Sequence, residues 1–219
     1  MAQLFYYYGT MNAGKSLELI KVAHNYEERG KRPLILTSAV DDRFGIGIVK
    51  SKAGIRRDAI AIKSETNLLE LFENQLEAAR MLDPGTRIDC VLIDEGQFLH
   101  KHHILELAEI VDSYDTPVLV YGLKNDFRNE LFEGSMYLLL YADKIEEIKT
   151  ICWCGRKATM VARVEEGRMV RTGNQIEIGD ENYVSLCRRH YNEGRLDEDA
   201  ERYGGRQEVM QEVEKGSLY

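Results

Sequence analysis

The 219-residue chain has room for one sizeable domain and a small appendage, and its 44% apolar content suits a folded core. A net charge of -8 opposes any surface built to neutralise nucleic-acid phosphates or anionic lipid, so neither nucleic acid nor membrane is expected as a partner. No apolar run approaches the roughly 20 residues that span a bilayer, and the start Met1-Ala2-Gln3-Leu4 carries no basic leader, so a cytoplasmic location is expected.

Leu4–Tyr8 is a short apolar and aromatic run ending at Gly9, and residues 17–29 then carry apolar positions at Leu17, Ile20 and Ala23 between charges, which predicts strand, loop and helix. Residues 33–37, 89–93 and 117–121 are continuous apolar runs of the kind that form strands buried on both faces. Residues 65–81 and 102–113 between them have helical spacing. The expected fold is α/β, a mainly parallel sheet flanked by helices in the manner of phosphate-loop nucleotide-binding proteins, with the ligand crevice at the carboxyl ends of the strands.

Residues 38–58 interrupt this rhythm with Asp41-Asp42-Arg43, three glycines and several basic residues, and are expected to be a loop or mobile hairpin. After Lys149 the pattern changes to Cys, Gly and short alternating segments. The expected organisation is therefore an α/β nucleotide-binding domain over residues 1–149, a small metal-stapled module over 150–191, and a charged tail, solvated helix or disordered, over 192–219.

Gly9-Thr10-Met11-Asn12-Ala13-Gly14-Lys15-Ser16 fits G-x-x-x-x-G-K-[ST] at every defined position, between a predicted strand and a predicted helix. Its amides and helix N-terminus would face a polyphosphate, Lys15 would neutralise the β and γ oxygens, and the Ser16 hydroxyl would ligate the magnesium that accompanies ATP. Val91-Leu92-Ile93-Asp94-Glu95 is a buried strand ending in two carboxylates: Asp94 suits magnesium, and Glu95, one residue further out, can take a proton from a hydroxyl or a water.

Cys152-x-Cys154 and Cys187-x-x-His190 form two ligand pairs separated by 32 residues, a set that suits closed tetrahedral zinc with a structural role. Trp153 between them reads as packing. Cys90, inside an apolar run, reads as a buried thiol.

With these residues assembled, the chain resembles the thymidine kinases of many bacteria, some phages and the animal cytosol. The likeness runs from about Leu4 to Tyr191. It rests on the phosphate loop, Asp41-Asp42-Arg43-Phe44, Asp94-Glu95-Gly96-Gln97-Phe98, Tyr121-Gly122-Leu123 with Asp126-Phe127-Arg128, and the ordered run from Ile178 to Cys187. The resemblance implies that Glu95 is the general base on the 5′-hydroxyl of thymidine or deoxyuridine, and that Asp41 and Arg43 approach magnesium and phosphates. It further implies an apolar wall around the base from Met11, Phe98, Leu123, Phe127 and Phe132, extended by Val161, Ile176 and Ile178, with Tyr183 stacking near it. A loop of the zinc module, from about Arg163 to Tyr183, would close over the nucleoside and read thymine through main-chain hydrogen bonds. A homotetramer and feedback by thymidine triphosphate are also implied. Two features depart from animal relatives, the one-residue spacer between Cys152 and Cys154 and a histidine as the last ligand.

Read without the resemblance, aromatics such as those at 98, 127 and 132 are more often core than binding wall, and Tyr183 serves equally as packing. The phosphate loop alone also fits an ATPase that activates water at Glu95, with the zinc module holding a DNA or protein partner, or a nucleotide-binding switch without chemistry.

Overall fold

The computed structural model describes residues 1–41, 43, 45–176 and 182–197. Its chain order is β1 (Leu4–Tyr8), α1 (Lys15–Glu27), β2 (Pro33–Ser38), β3 (Ile48–Lys50), β4 (Arg56–Asp58), β5 (Ile60–Ile62), α2 (Leu68–Leu82), β6 (Cys90–Asp94), a 3₁₀ turn (Gly96–Phe98), α3 (Lys101–Tyr114), β7 (Val118–Gly122), α4 (Glu133–Tyr141) and β8 (Lys144–Glu147). The C-terminal part adds β9 (Thr150–Ile151), β10 (Lys157–Ala158), β11 (Met160–Glu165), β12 (Arg168–Val170), β13 (Tyr183–Leu186) and α5 (Arg188–Glu193).

Six strands form one sheet in the order β5-β2-β6-β7-β1-β8, and every neighbouring pair is parallel. β6 and β7 lie in the interior and are buried at every position, which is why they read as unbroken apolar runs. One face packs Leu68, Phe72 and Leu76 of α2, Ile104, Leu107 and Ile110 of α3, and Leu138 of α4. The other packs Leu19, Ile20 and Ala23 of α1 together with Val49. Burying both faces places the free strand ends, and whatever they carry, at the rim of the sheet.

Helix ends follow local chemistry. Gly14 takes a left-handed conformation (φ 85°) and starts α1 at Lys15, two residues before the apolar spacing suggests. Asn67 accepts the Glu70 amide and caps α2, so this helix starts later than its charge pattern implies. Within residues 38–58 the chain forms the β3–β4 hairpin, pinned to α1 by an Arg57–Glu27 ion pair. β5 and β8 are absent from the sequence reading because neither carries a readable period: β5 has three residues, and β8 exposes three of its four at the sheet edge.

The C-terminal part has its own small core of Cys152, Ala158, Met160, Ala162, Leu186 and Tyr191 under an antiparallel β12-β11-β13 sheet. The expected tail from residue 198 onward lies outside the described residues. Among the described residues, no helix is long and apolar enough to cross a membrane.

The 3₁₀ turn after β6 is held by α4 through a contact that only glycine permits. A Cβ at Gly134 would stand 2.4 Å from the Gly96 carbonyl oxygen and 2.7 Å from that of Leu99. Gly134→Ala should therefore displace the turn at a cost of about 1–3 kcal/mol, lowering both the melting temperature and kcat. Unchanged values of both would show that the close contact does not position the turn.

Candidate functional site

The loop from β1 to α1 wraps the start of the helix. Gly9 lets this happen, because a Cβ there would meet the Ile148 carbonyl oxygen at 2.7 Å and the Ala13 Cβ at 2.9 Å. Lys15 lies folded back on the loop, its Nζ donating to the Thr10 carbonyl at 2.9 Å and the Gly9 carbonyl at 3.5 Å. Met11, Asn12, Gly14, Lys15 and Ser16 line a cleft of about 1060 Å³ with Asp94 and the tip of the β3–β4 hairpin on its other walls. Gly9, Thr10 and Ala13 do not line it. They shape the loop from behind, with the Thr10 side chain buried.

At the end of β6, Asp94 is only 4% exposed. Burial, and then the neighbouring Glu95 carboxylate, push the Asp94 carboxyl up to about 7, while the Ser16 hydroxyl and the Lys15 ammonium pull it down. A buried carboxylate beside a serine hydroxyl is a set of hard oxygen donors suited to a divalent cation carried in with nucleotide phosphates.

Glu95 leaves the strand in a left-handed conformation, φ 55° and ψ 38°. Its carboxylate is held from both sides: Oε1 accepts from Arg43 Nη2 at 3.0 Å, and Oε2 accepts from Gln97 Nε2 at 2.5 Å. Arg43 is itself paired with Asp41 through two hydrogen bonds, of 2.6 and 2.7 Å. Asp41 and Arg43 therefore form one cluster with Glu95, which is 52 residues from Arg43 in sequence.

A second cleft, of about 530 Å³, opens on the other side of this cluster. Its apolar lining comes from Met11, Phe98, Leu123, Phe127, Phe132 and Val161, with Ile176 and Tyr183 closing it from the C-terminal part. Phe98 and Phe132 meet edge to face at 5.9 Å. Each residue named in advance for the nucleoside wall is present except Ile178, which lies outside the described residues. Met11, Asp41, Arg43 and Glu95 line both clefts, so the two are separated by a single layer of side chains.

The C-terminal part is tied onto this region by hydrogen bonds from Ser185 Oγ to the Met11 carbonyl at 2.6 Å and from the Tyr191 hydroxyl to the Phe127 carbonyl at 2.6 Å. The Arg163 guanidinium sits 5.3 Å from the Phe127 ring centroid.

Three residues of the second cleft carry no role in the sequence reading: Gln97, Asp126 and Gln175. Gln97 stands inside the motif after β6, where its spacing from Glu95 is visible but its partner Leu123 is not. Asp126 is buried and accepts from the Arg128 and Glu130 amides, which shapes the loop after β7. Gln175 donates to the Leu131 carbonyl across the mouth, a contact with no sequence signature.

Cys152, Cys154, Cys187 and His190 bring their ligand atoms within 4.8 Å of one another. Cys152 Sγ is 3.5 Å from His190 Nδ1, and Cys154 Sγ is 4.0 Å from Cys187 Sγ. A tetrahedral ion with bonds of about 2.3 Å to sulfur and 2.0 Å to nitrogen separates its ligands by roughly 3.5–3.8 Å, so the four lie within about an ångström of the spacing one such ion needs. The first pair sits on the β9–β10 turn, where Gly155 has φ 81°, and the second spans the first turn of α5. A hydrogen bond from the His190 amide lowers the Cys187 thiol pKa, favouring the thiolate a metal needs. Trp153 stacks on the His190 ring at 4.2 Å and serves as packing. Cys90 is fully buried, with its thiol pushed up to about 12 by burial, as a core residue should be.

The family model described as thymidine kinase matches residues 2–191. A thymidine kinase of Streptococcus gordonii is 56% identical over 193 residues, covering 87% of this chain and 96% of the relative. Those of Enterococcus faecalis and Lactococcus lactis subsp. lactis are 55% and 54% identical over 193 residues, covering 87% of this chain and 95% and 97% of the relatives.

Removing one ligand leaves three, which weakens a closed tetrahedral site severely. Purified Cys187→Ser protein should hold far less metal by elemental analysis than the parent, whose content should approach about one ion per chain. Equal metal in both would show that Cys187 is not a ligand.

Proposed function

The chain belongs to the thymidine kinase family, an enzyme class that transfers the γ-phosphoryl group of ATP to the 5′-hydroxyl of thymidine, and from that membership we propose the roles of its residues. The observation that supports them most is the placement of Glu95 on the layer shared by the two clefts.

The larger cleft takes the ATP phosphates. Amides of residues 9–16 and the N-terminus of α1 face them, and Lys15 exchanges the Thr10 and Gly9 carbonyls for β and γ oxygens. Ser16 and Asp94 would hold the magnesium that accompanies ATP, with Asp41 on the wall of the same cleft. The smaller cleft takes the nucleoside, its base against Phe98, Leu123, Phe127, Phe132 and Val161, with Met11, Ile176 and Tyr183 completing the lining; family membership assigns Ile178 to the same wall. Arg43 moves from Glu95 to the γ-phosphoryl group as ATP arrives. Glu95 then takes the proton of the 5′-hydroxyl, the oxygen bonds to the γ phosphorus, and the bond to the β–γ bridging oxygen breaks to release ADP. The protein's contribution is alignment and charge.

The donor set of three thiolates and one imidazole supports structural zinc, which would staple residues 150–191 as a module distinct from residues 1–149 and hold the loop that closes over the nucleoside. Free thiols held for a metal agree with a cytoplasmic, reducing location. Thymidine triphosphate has a nucleoside for one cleft and phosphates for the other, which supports it as feedback inhibitor. A homotetramer is the assembly that family membership supports. Deoxyuridine lacks one methyl, a difference worth about 1–3 kcal/mol in such a pocket, and is expected to compete as acceptor.

ADP formation with magnesium-ATP should depend on added thymidine and yield thymidine monophosphate; equal hydrolysis with and without nucleoside would refute the kinase reading. Glu95→Gln keeps the shape but not the base, so kcat should fall by about 100-fold or more with ATP affinity nearly unchanged. Activity within a few fold of the parent would remove Glu95 from the role. Stripping zinc with a chelator should raise the KM for thymidine more than that for ATP, and an unchanged thymidine KM would contradict the role of the closing loop.

A further inference from the structure

A general base works only if its carboxylate is aimed at the acceptor hydroxyl, and Glu95 has a long, flexible side chain on a single turn. We propose that Gln97 is the positioning residue for Glu95, fixing the base against the nucleoside wall through the Leu123 peptide; the proposal rests on Glu95 being the base.

Gln97 is 2% exposed and uses both ends of its amide. Its Oε1 accepts the Leu123 amide N–H at 2.9 Å. That bond leaves only the NH₂ group to face Glu95, where Nε2 donates to Oε2 at 2.5 Å. The same peptide neighbourhood is anchored on its far side. The Leu123 carbonyl accepts from the Tyr6 hydroxyl at 2.7 Å and from Ser135 Oγ at 2.6 Å, and both donors belong to the buried body of the protein. The Leu123 side chain meanwhile packs with Phe132 and Val161 in the nucleoside wall.

One amide therefore sets the distance from the base to the wall that positions the sugar. Surrounding glycines are matched to it: a Cβ on Gly122 would stand 2.8 Å from Gln97 Oε1, and one on Gly96 would stand 2.2 Å from Val120 Cγ1. Arg43 grips the opposite carboxylate oxygen. When Arg43 turns to phosphate, Gln97 is what remains to hold Glu95 in place, with Oε1 released toward the acceptor.

Gln97→Met removes both hydrogen bonds at nearly constant volume. Displacing a catalytic group by about an ångström costs up to about 100-fold, so kcat should fall roughly 10- to 100-fold while the KM for ATP changes little and the unpaired Leu123 amide lowers the melting temperature only modestly. Because Gln97 acts through Glu95, adding Gln97→Met to Glu95→Gln should leave the residual turnover nearly as it was, whereas a residue that only stabilises the fold would lower it by the same factor again. Gln97→Glu keeps the acceptor for Leu123 but turns a carboxylate toward Glu95, and should lose kcat at least as severely; if Gln97→Met fails to fold, this variant decides alone. Near-parental kcat in either variant, or a full additional loss in the double variant, would overturn the proposal. Failure of the base assignment is separable: it shows as an active Glu95→Gln enzyme, whereas an inactive Glu95→Gln beside an active Gln97→Met refutes only the role of Gln97.

Discussion

The site depends on a backbone reversal at the end of β6. Asp94 and Glu95 are adjacent, yet Asp94 lines only the cleft at the phosphate loop whereas Glu95 lines both clefts. Alternation along a strand supplies part of this separation. The rest comes from the left-handed conformation of Glu95, a state that costs a non-glycine residue about 1–3 kcal/mol and persists only where its surroundings enforce it. Here they do so through Gly96 and Gly134, which let the 3₁₀ turn press against β7 and α4, and through the Arg43 and Gln97 hydrogen bonds. Two consecutive carboxylates can then hold a metal and move a proton without competing for the same space.

Rim placement makes this arrangement possible. All six strands of the main sheet run parallel, so the ends of β1, β2, β6 and β7 reach the same edge and deliver the phosphate loop, Asp41 with Arg43, Asp94 with Glu95, and Leu123 respectively. The C-terminal part contributes the remaining wall. Its core is small, its Cys152, Cys154, Cys187 and His190 set could hold one metal ion, and it is joined to the phosphate loop by the hydrogen bond from Ser185 to Met11.

Chemistry-bearing residues were legible where the spacing itself is the mechanism. The phosphate loop needs its glycines and lysine at fixed offsets, and metal ligands come in short pairs, so residues 9–16 and the Cys152 to His190 set could be found without a fold. β6 and β7 were legible because strands buried on both faces must be apolar throughout. Asp41 and Arg43 were known only through resemblance, because the Arg43 contact that ties the pair to Glu95 crosses 52 residues. Gln97 stayed hidden for a related reason: its role is written in a hydrogen bond to Leu123, 26 residues away, which no local pattern reports. β5 and β8 escaped because edge strands with few buried positions lack the periodicity that betrays a strand.

Where an acceptor oxygen lies relative to Glu95 when both clefts are filled decides whether Glu95 is the base. A crystal structure with thymidine, magnesium and a non-hydrolysable ATP analogue measures it. The 5′-oxygen should lie within hydrogen-bond reach of the Glu95 carboxylate, about 2.6–3.2 Å, with the γ phosphorus in line on its other side. A 5′-oxygen beyond that reach with both ligands fully occupied, or thymidine bound away from the Phe98 and Phe132 wall, would contradict it.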